Sequence, residues 1–275
     1  MITSCAFNEV MKLVWSGGRP TLSSRPVAEE KAIALSYNGS SHAVMMATPA
    51  DLSDFGVGFA LTEGLVEKVD EILSIELVET DLGIEIRMWL DQKRTRFFLV
   101  RRRAILGPIG CGLCGIESLE QACPAPPQVA NGTMFRARDL LNAMRGLAPL
   151  QSFNRKTRSM HAAAFWDPTI GIGPVREDVG RHNALDKLAG ALARHNIACS
   201  TGAILLTSRV SVELVQKTAM IGVPVLIAIS APTTLAIETA EKAGITLIAV
   251  AREDGYEVFT HPDRLIFSEN GMIAA

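Results

Sequence analysis

Cysteine is scarce in this chain. Five cysteines in 275 residues, at positions 5, 111, 114, 123 and 199, are an odd number in no framework spacing, so reduced thiols are expected rather than a disulfide scaffold. Charge of one sign is not in excess either. Lys+Arg is 27 and Asp+Glu is 29, a net charge of -2, which gives no global attraction to nucleic acid or to an anionic membrane. Long apolar runs are missing. The most apolar stretch, VPVLIAISA at 223–231, is too short to cross a bilayer. The first residues show no basic start followed by an apolar run, and a soluble, cytoplasmic protein is expected. Repeats and low-complexity tracts are absent, and the ten methionines form no stripe that suggests a metal.

What is present is a globular composition, 48% hydrophobic and 20% charged. The first half is mixed and short-ranged. AIALSYNGSSHAVMMATP reads as two strands about an Asn38-Gly39 turn. DLSDFGVGFALTEGLVEKV reads as a helix with Asp51 as its N-cap, and IEIRMWL and TRFFLVRR as further strands. A proline-rich stretch, ACPAPPQVANG, follows residue 121 and reads as a linker. Two domains are expected, residues 1–125 and residues 126–275.

The second half alternates helices with continuous apolar strands, GAILLTS, VPVLIAISA and ITLIAVA. That rhythm predicts an α/β domain around a mostly parallel sheet covered on both faces. Ligands of such sheets sit at the carboxyl ends of the strands, here marked by Ser208-Arg209, Ser230-Ala231-Pro232 and Arg252-Glu253-Asp254.

Two motifs carry chemistry. GCGLCG at 110–115 places Cys111 and Cys114 two residues apart between glycines. Structural zinc needs about four ligands, and the chain has neither a second C-x-x-C nor the H-x-E…P-C-x-x-C of zinc deaminases. A redox dithiol wants the pair at a helix start, which flanking glycines disfavour. A sulfur-carrying thiolate wants an accessible, bendable tip, which glycines provide. Arg101, Arg102 and Arg103 upstream would favour thiolate if they approach it. The second motif, REDVGRHNALDKLAG at 176–190, crowds charges about a helix start. It suits either an anion site through Arg181 and His182 or a capped helix with a salt-bridged, exposed face.

These stretches, with TSRVSVELVQK at 207–217, VPVLIAISAPTTLAI at 223–237, MMATPADLSDFGVGF at 45–59 and LTEGL at 61–65, resemble the formate dehydrogenase accessory sulfurtransferase family, FdhD, over nearly the whole chain. The resemblance implies a small N-terminal α/β domain followed by a cytidine-deaminase-like three-layer α/β/α domain, α+β overall, and a homodimer. It implies a sulfurtransferase that takes sulfur from a cysteine desulfurase and passes it to the molybdenum cofactor, a bis(molybdopterin guanine dinucleotide), before that cofactor enters formate dehydrogenase. Cys111 would carry the persulfide and Cys114 assist. The cofactor-binding segment would be Val250, Ala251, Arg252, Glu253, Asp254 and Gly255, joined by Arg181, His182, Ser208 and Ser230. No structural metal is expected. The chain departs from the family pattern in two places. Glu253 and Asp254 stand where glycine and basic residues are more usual, and Arg158-Ser159 stand where two glycines are usual. A loop built for positive φ would be strained at the second of these.

Overall fold

The computed structural model describes residues 5–96, 125–130 and 133–267. It opens with a long two-stranded ribbon, β1 (Phe7–Ser16) and β2 (Arg19–Ala28), turned at Gly17 and Gly18, which the sequence reading did not mark. The next two strands are β3 (Lys31–Tyr37) and β4 (Ser40–Ala47), joined at Asn38-Gly39 with φ of 50° and 76°. Asn and Gly tolerate that left-handed backbone, so the hairpin forms where the sequence placed it. With β5 (Ile72–Thr80) and β6 (Gly83–Leu90) they make a four-stranded sheet, ordered β4-β3-β6-β5. Period-two patterning turns Ile33, Leu35, Tyr37, Ile84, Ile86 and Met88 to one buried face.

Helix α1 (Leu52–Thr62) covers that face with Leu52, Phe55 and Phe59. Asp51 does occupy the N-cap position. Its backbone is left-handed, however, and its side chain makes no capping bond. Instead it lies 3.7 Å from Arg176.

The second sheet has six strands, ordered β13-β12-β11-β10-β8-β9, from β8 (His161–Asp167), β9 (Gly171–Asp178), β10 (Ala203–Leu206), β11 (Val225–Ala228), β12 (Thr246–Ala249) and β13 (Glu257–Val258). Only β10, β11 and β12 run parallel. β8, β9 and β13 are antiparallel, so the sheet is mixed rather than mostly parallel. The reason lies in β9, which hairpins directly onto β8 and has no crossover helix.

Alternate residues feed two cores. Ile204, Leu206, Leu226 and Leu247 face α4 (Arg181–Arg194), α5 (Val212–Ile221) and α6 (Thr234–Ala243). Ala203, Leu205, Val225 and Ile248 face α2 (Ala137–Leu147). Each fully buried Leu or Ile contributes about 1.5–3 kcal/mol. Gly222 and Gly244 end α5 and α6 at φ of 77° and 71°, as the sequence indicates. A one-turn helix, α3 (Asn154–Thr157), precedes β8, and a short pair, β7 (Phe135–Arg136) with β14 (Leu265–Ile266), closes the α2 side.

Helix α4 is central. One side lies on the six-stranded sheet and the other on α1. Close approach is possible because Gly58 and Gly190 face each other's helix backbones.

Candidate functional site

The central position of α4 decides what its charged motif does. Arg176 Nε and Nη2 donate to Asp54 Oδ2 at 2.9 and 2.7 Å, and Arg194 reaches the other oxygen of Asp54. Glu177 accepts from the backbone N–H groups of Phe153 and Asn154 at 2.9 and 2.6 Å and so fixes the start of α3. Asp178 accepts from Thr48 N at 3.0 Å and from Gly180 N at 2.8 Å, and it pairs with Lys187 Nζ at 2.6 Å. Asn183 bridges Asp178 to the carbonyl of Met46. Asp186 accepts from Thr62 at 2.6 Å and from Lys217 at 2.9 Å. A salt-bridged exposed face is therefore not what forms. Asp178, Asp186 and Lys187 are buried, and they bind elements from the first half of the chain to α4. Burial holds the Asp186 carboxyl above the usual range against the pull of Lys217. Burial likewise draws the Lys187 ammonium down although Asp178 opposes it.

Two residues of the motif are left over, Arg181 and His182. Both are half-buried at the N-terminus of α4, and Arg181 Nε is buried without a hydrogen-bond partner among the described residues. His182 is held below its ordinary 6.5 by burial and then by Arg181, with Glu213 opposing. His161, at the start of β8, is lowered for the same first two reasons, with Asp178 opposing. Arg209 acts on His182 as well. These side chains therefore share one electrostatic environment, rich in cations and holding neutral imidazoles.

Arg209, which follows β10, ties the first of the strand ends to this cluster through its effect on His182. Val210 N donates to Ala231 O at 3.2 Å, and Thr233 N to Val210 O at 3.0 Å. Val250 N donates to Ser230 O at 3.3 Å, and Ala251 N to Ala228 O at 3.1 Å. The loops after β10, β11 and β12 thus form one hydrogen-bonded rim carrying Ser208, Ser230 and residues 250–255. Val250 sits at φ 53°, an unusual conformation for a β-branched residue. Arg252 N pairs with Gly255 O at 2.8 Å, which closes the 252–255 turn, and the Arg252 guanidinium donates to the carbonyl of Ile229. Glu253 and Asp254 are exposed at the tip of this turn. Arg158 adopts φ 58°, so the position where glycine was expected does take the left-handed backbone.

Beside α4 lies a pocket of about 580 Å³, lined by Phe59, Thr62, Glu63, His182, Glu213 and Lys217 among others. Sequence reasoning singled out neither Lys217 nor Glu63 for a site. Lys217 donates to Glu63 at 3.1 Å as well as to Asp186, and its ammonium stands 5.4 Å from the centre of the Phe59 ring. Burial lowers Lys217, but the Asp186 and Glu63 carboxylates outweigh it and leave the ammonium raised. His42 packs edge-on against Tyr37 and Phe59. A signal for these contacts existed only in the polar residues of LTEGL and VQK, which no spacing connects.

Cys111 and Cys114 lie outside the described residues, as does the strand read at TRFFLVRR beyond residue 96. The described free cysteines are Cys5, which is exposed, and Cys199, whose thiol burial pushes up to about 11. Among the described residues no group of His, Cys, Asp and Glu could hold a metal ion. Nor is any helix among them long and apolar enough to cross a membrane.

The FdhD/NarQ family model matches residues 28–266. The chain belongs to the FdhD/NarQ family. It is 49% identical over 262 residues to the sulfur carrier protein FdhD of Agrobacterium fabrum, covering 95% of this chain and 97% of that one. The sulfur carrier protein FdhD of Brucella abortus is 51% identical over 247 residues, covering 90% and 92%. That of Cupriavidus necator is 47% identical over 251 residues, covering 91% and 87%. The fold matches a crystal structure from Desulfotalea psychrophila, described as a formate dehydrogenase accessory protein, with a TM-score of 0.73 at 24% identity over 95% of this chain and 100% of that one. The mixed α/β fold class expected from sequence agrees with this match.

Proposed function

We propose that this member of the FdhD/NarQ family is a sulfur carrier of the formate dehydrogenase pathway, a sulfurtransferase acting through a cysteine persulfide. Cys111 is the carrier and Cys114 its assistant. The Cys111 thiolate attacks the terminal sulfur of a persulfide on a cysteine desulfurase. A new S–S bond forms on Cys111, and the donor cysteine leaves as thiolate. The S–S bond on Cys111 then breaks, its outer sulfur passing as sulfur(0) to the bis(molybdopterin guanine dinucleotide) cofactor, which is the substrate and not a resident group, and Cys111 is left as thiolate. Two domains, residues 1–125 and 126–275, and a homodimer belong to the same reading.

The observation that carries the substrate assignment is the cationic cluster at the rim. A phosphate-rich ligand needs donors that are not already used. Arg181 supplies a buried guanidinium nitrogen without a partner, at a helix N-terminus whose own N–H groups favour anions. His182 and His161 feel its charge, Arg209 acts on His182 beside it, and the exposed carboxylates of Glu253 and Asp254 lie at a turn tip in water. On this reading the rim binds and orients the phosphates, and the neutral imidazoles are poised to gain charge against an anion. Cys199 does not suit the carrier role, because its raised thiol stays protonated near neutral pH.

The test is intact-mass spectrometry after incubation with a cysteine desulfurase and cysteine, on wild type, Cys111→Ala and Cys114→Ala. A cyanide-labile gain of one sulfur, absent only from Cys111→Ala, is the expected result. No gain on wild type, while a control acceptor is loaded, would leave cofactor binding without sulfur transfer as the function.

A further inference from the structure

The pocket beside α4 holds a charge imbalance that the carrier function does not use. Three carboxylates, Glu63, Asp186 and Glu213, line it against one cation, Lys217. Its histidine, His182, is held below its ordinary 6.5 by burial and then by Arg181, so it adds no charge near neutral pH. Lys217 Nζ donates to the two oxygens of Asp186 at 2.9 and 3.1 Å, to Glu63 at 3.1 Å and to Thr62 at 3.1 Å. An ammonium has three N–H donors, so Lys217 spends all of them inside the wall. Its single charge balances one of the two carboxylates it touches. The buried Tyr37 registers the other, for its hydroxyl is raised by burial and then by Asp186 and Glu63. Glu213 is a further surplus charge. It is exposed, and the Ser211 hydroxyl holds its carboxyl below the ordinary range. No Lys or Arg among the described residues lies within ion-pair distance of it.

We infer that this pocket binds a linear aliphatic diamine, one ammonium resting against Glu63 and the other against Glu213. The inference uses none of the sulfur chemistry above and stands or falls without it. Charge sets the valence of the ligand. Uncompensated charge against a partly buried wall is costly, and a dication cancels the excess of carboxylates over Lys217. A metal ion does not serve, since no group of His, Cys, Asp and Glu among the described residues gathers closely enough to hold one.

Spacing sets the length. Glu63 lies 3.1 Å from Lys217, and Lys217 follows Glu213 by one turn of α5, about 6 Å along the helix axis. A chain of four or five methylenes spans such a distance between its two nitrogens. Met45, Phe59 and Met220 line the same pocket and give the methylene stem an apolar surface. The Phe59 ring already faces the Lys217 ammonium at 5.4 Å, so it accepts positive charge nearby. The volume of about 580 Å³ lies within the range of about 300–1,000 Å³ usual for small-molecule sites.

Isothermal titration calorimetry on the full chain tests this, with putrescine as the diamine and n-butylamine as the same stem with one charge. One saturable site for putrescine is expected, with n-butylamine at least about tenfold weaker, the worth of one charge-assisted hydrogen bond. Glu213→Gln keeps the shape and removes the charge, and it should weaken putrescine by about tenfold, to the level of n-butylamine. Met220 is 45% exposed, so Met220→Lys sets a competing cation in the pocket and should weaken putrescine too. Circular dichroism confirms that each variant is folded. A folded wild type with no binding heat and no rise in melting temperature at millimolar putrescine overturns the inference. Equal affinity for n-butylamine, as a pocket for a lone lysine side chain of another protein would show, overturns it as well. So does unchanged putrescine affinity in Glu213→Gln. The comparison of the two amines is made on wild type, so it gives an answer even if both variants misfold.

Discussion

Gly58 and Gly190 meet across the crossing of α1 and α4. A Cβ on Gly58 would stand 1.6 Å from the carbonyl oxygen of Asp186, and one on Gly190 would stand 1.9 Å from that of Asp54. Neither obstacle is a side chain that could swing away. The helices touch backbone to backbone, and the buried charges of the motif are aligned by that contact.

Gly190→Ala is therefore expected to destabilise the protein by more than about 3 kcal/mol, the upper end of overpacking costs, since whole helices must part. Urea unfolding measures it. A loss below 1 kcal/mol on the same overpacking scale would mean that the crossing is looser than described.

Asp178 and Lys187 form a pair with no exposed surface on either side chain. Asp178→Asn leaves an ammonium buried without its counter-charge, and a loss of about 3–5 kcal/mol is expected. Changing both partners to apolar residues of similar size should recover most of that loss. If the double change costs as much as the single one, the backbone contacts of Asp178 to Thr48 and Gly180 carry the stability instead.

Arg181→Ala should weaken binding of a guanosine diphosphate probe by about tenfold or more, the worth of a charge-assisted hydrogen bond. Its melting temperature should stay near wild type, because Nε makes no bond in the folded chain. Isothermal titration calorimetry with unchanged affinity would remove Arg181 from the site.

His161 and His182 both lie below their ordinary 6.5 in the folded chain. The unfolded chain therefore takes protons first. The stability these two groups contribute is present above 6.5 and is lost as pH falls through their folded values. Anion binding has the opposite sign, since protonation adds charge to the rim. Between about pH 8 and about pH 5.5, affinity for the same probe should rise while the melting temperature of the free protein falls. His161→Gln with His182→Gln should flatten both slopes, and unchanged slopes would place the titrating groups elsewhere.

Arg158 holds a left-handed backbone at φ 58° as the residue after α3. Arg158→Gly is expected to relieve about 1 kcal/mol of strain, partly offset by the greater freedom of glycine in the unfolded chain. A chemical denaturation midpoint that falls would show that the arginine side chain stabilises the loop by more than the strain it bears.

Much of the fold was legible because its signals are local. Asn38-Gly39 needs only its own backbone preferences to turn β3 into β4. Gly222 and Gly244 end helices by the same freedom, and the apolar runs at β10, β11 and β12 mark a buried sheet wherever they occur. Family membership was legible too, since REDVGRHNALDKLAG and GCGLCG are specific strings. The ribbon was not, because Gly17-Gly18 sits among residues of no clear alternation, and β9 was not either, because its polar end runs into the charges about the helix start.

The roles of the charged motif belonged to the tertiary structure. In sequence, Arg176, Asp178, Asp186 and Lys187 look like the exposed charges of a helix start, the same in kind as Arg181 and His182. Which of them are buried depends on α1 lying on α4, and that depends on two glycines 132 positions apart in the numbering of the chain. Once the helices meet, desolvation makes each buried charge find a partner, and Asp54, Thr62 and Lys217 supply them from distant segments. Arg181 Nε alone of the motif's charged groups is left buried without one among the described residues, beside His182 at the start of α4. The sequence by itself determined which residues were available for chemistry; close packing, by consuming the others, decided which remained free for it.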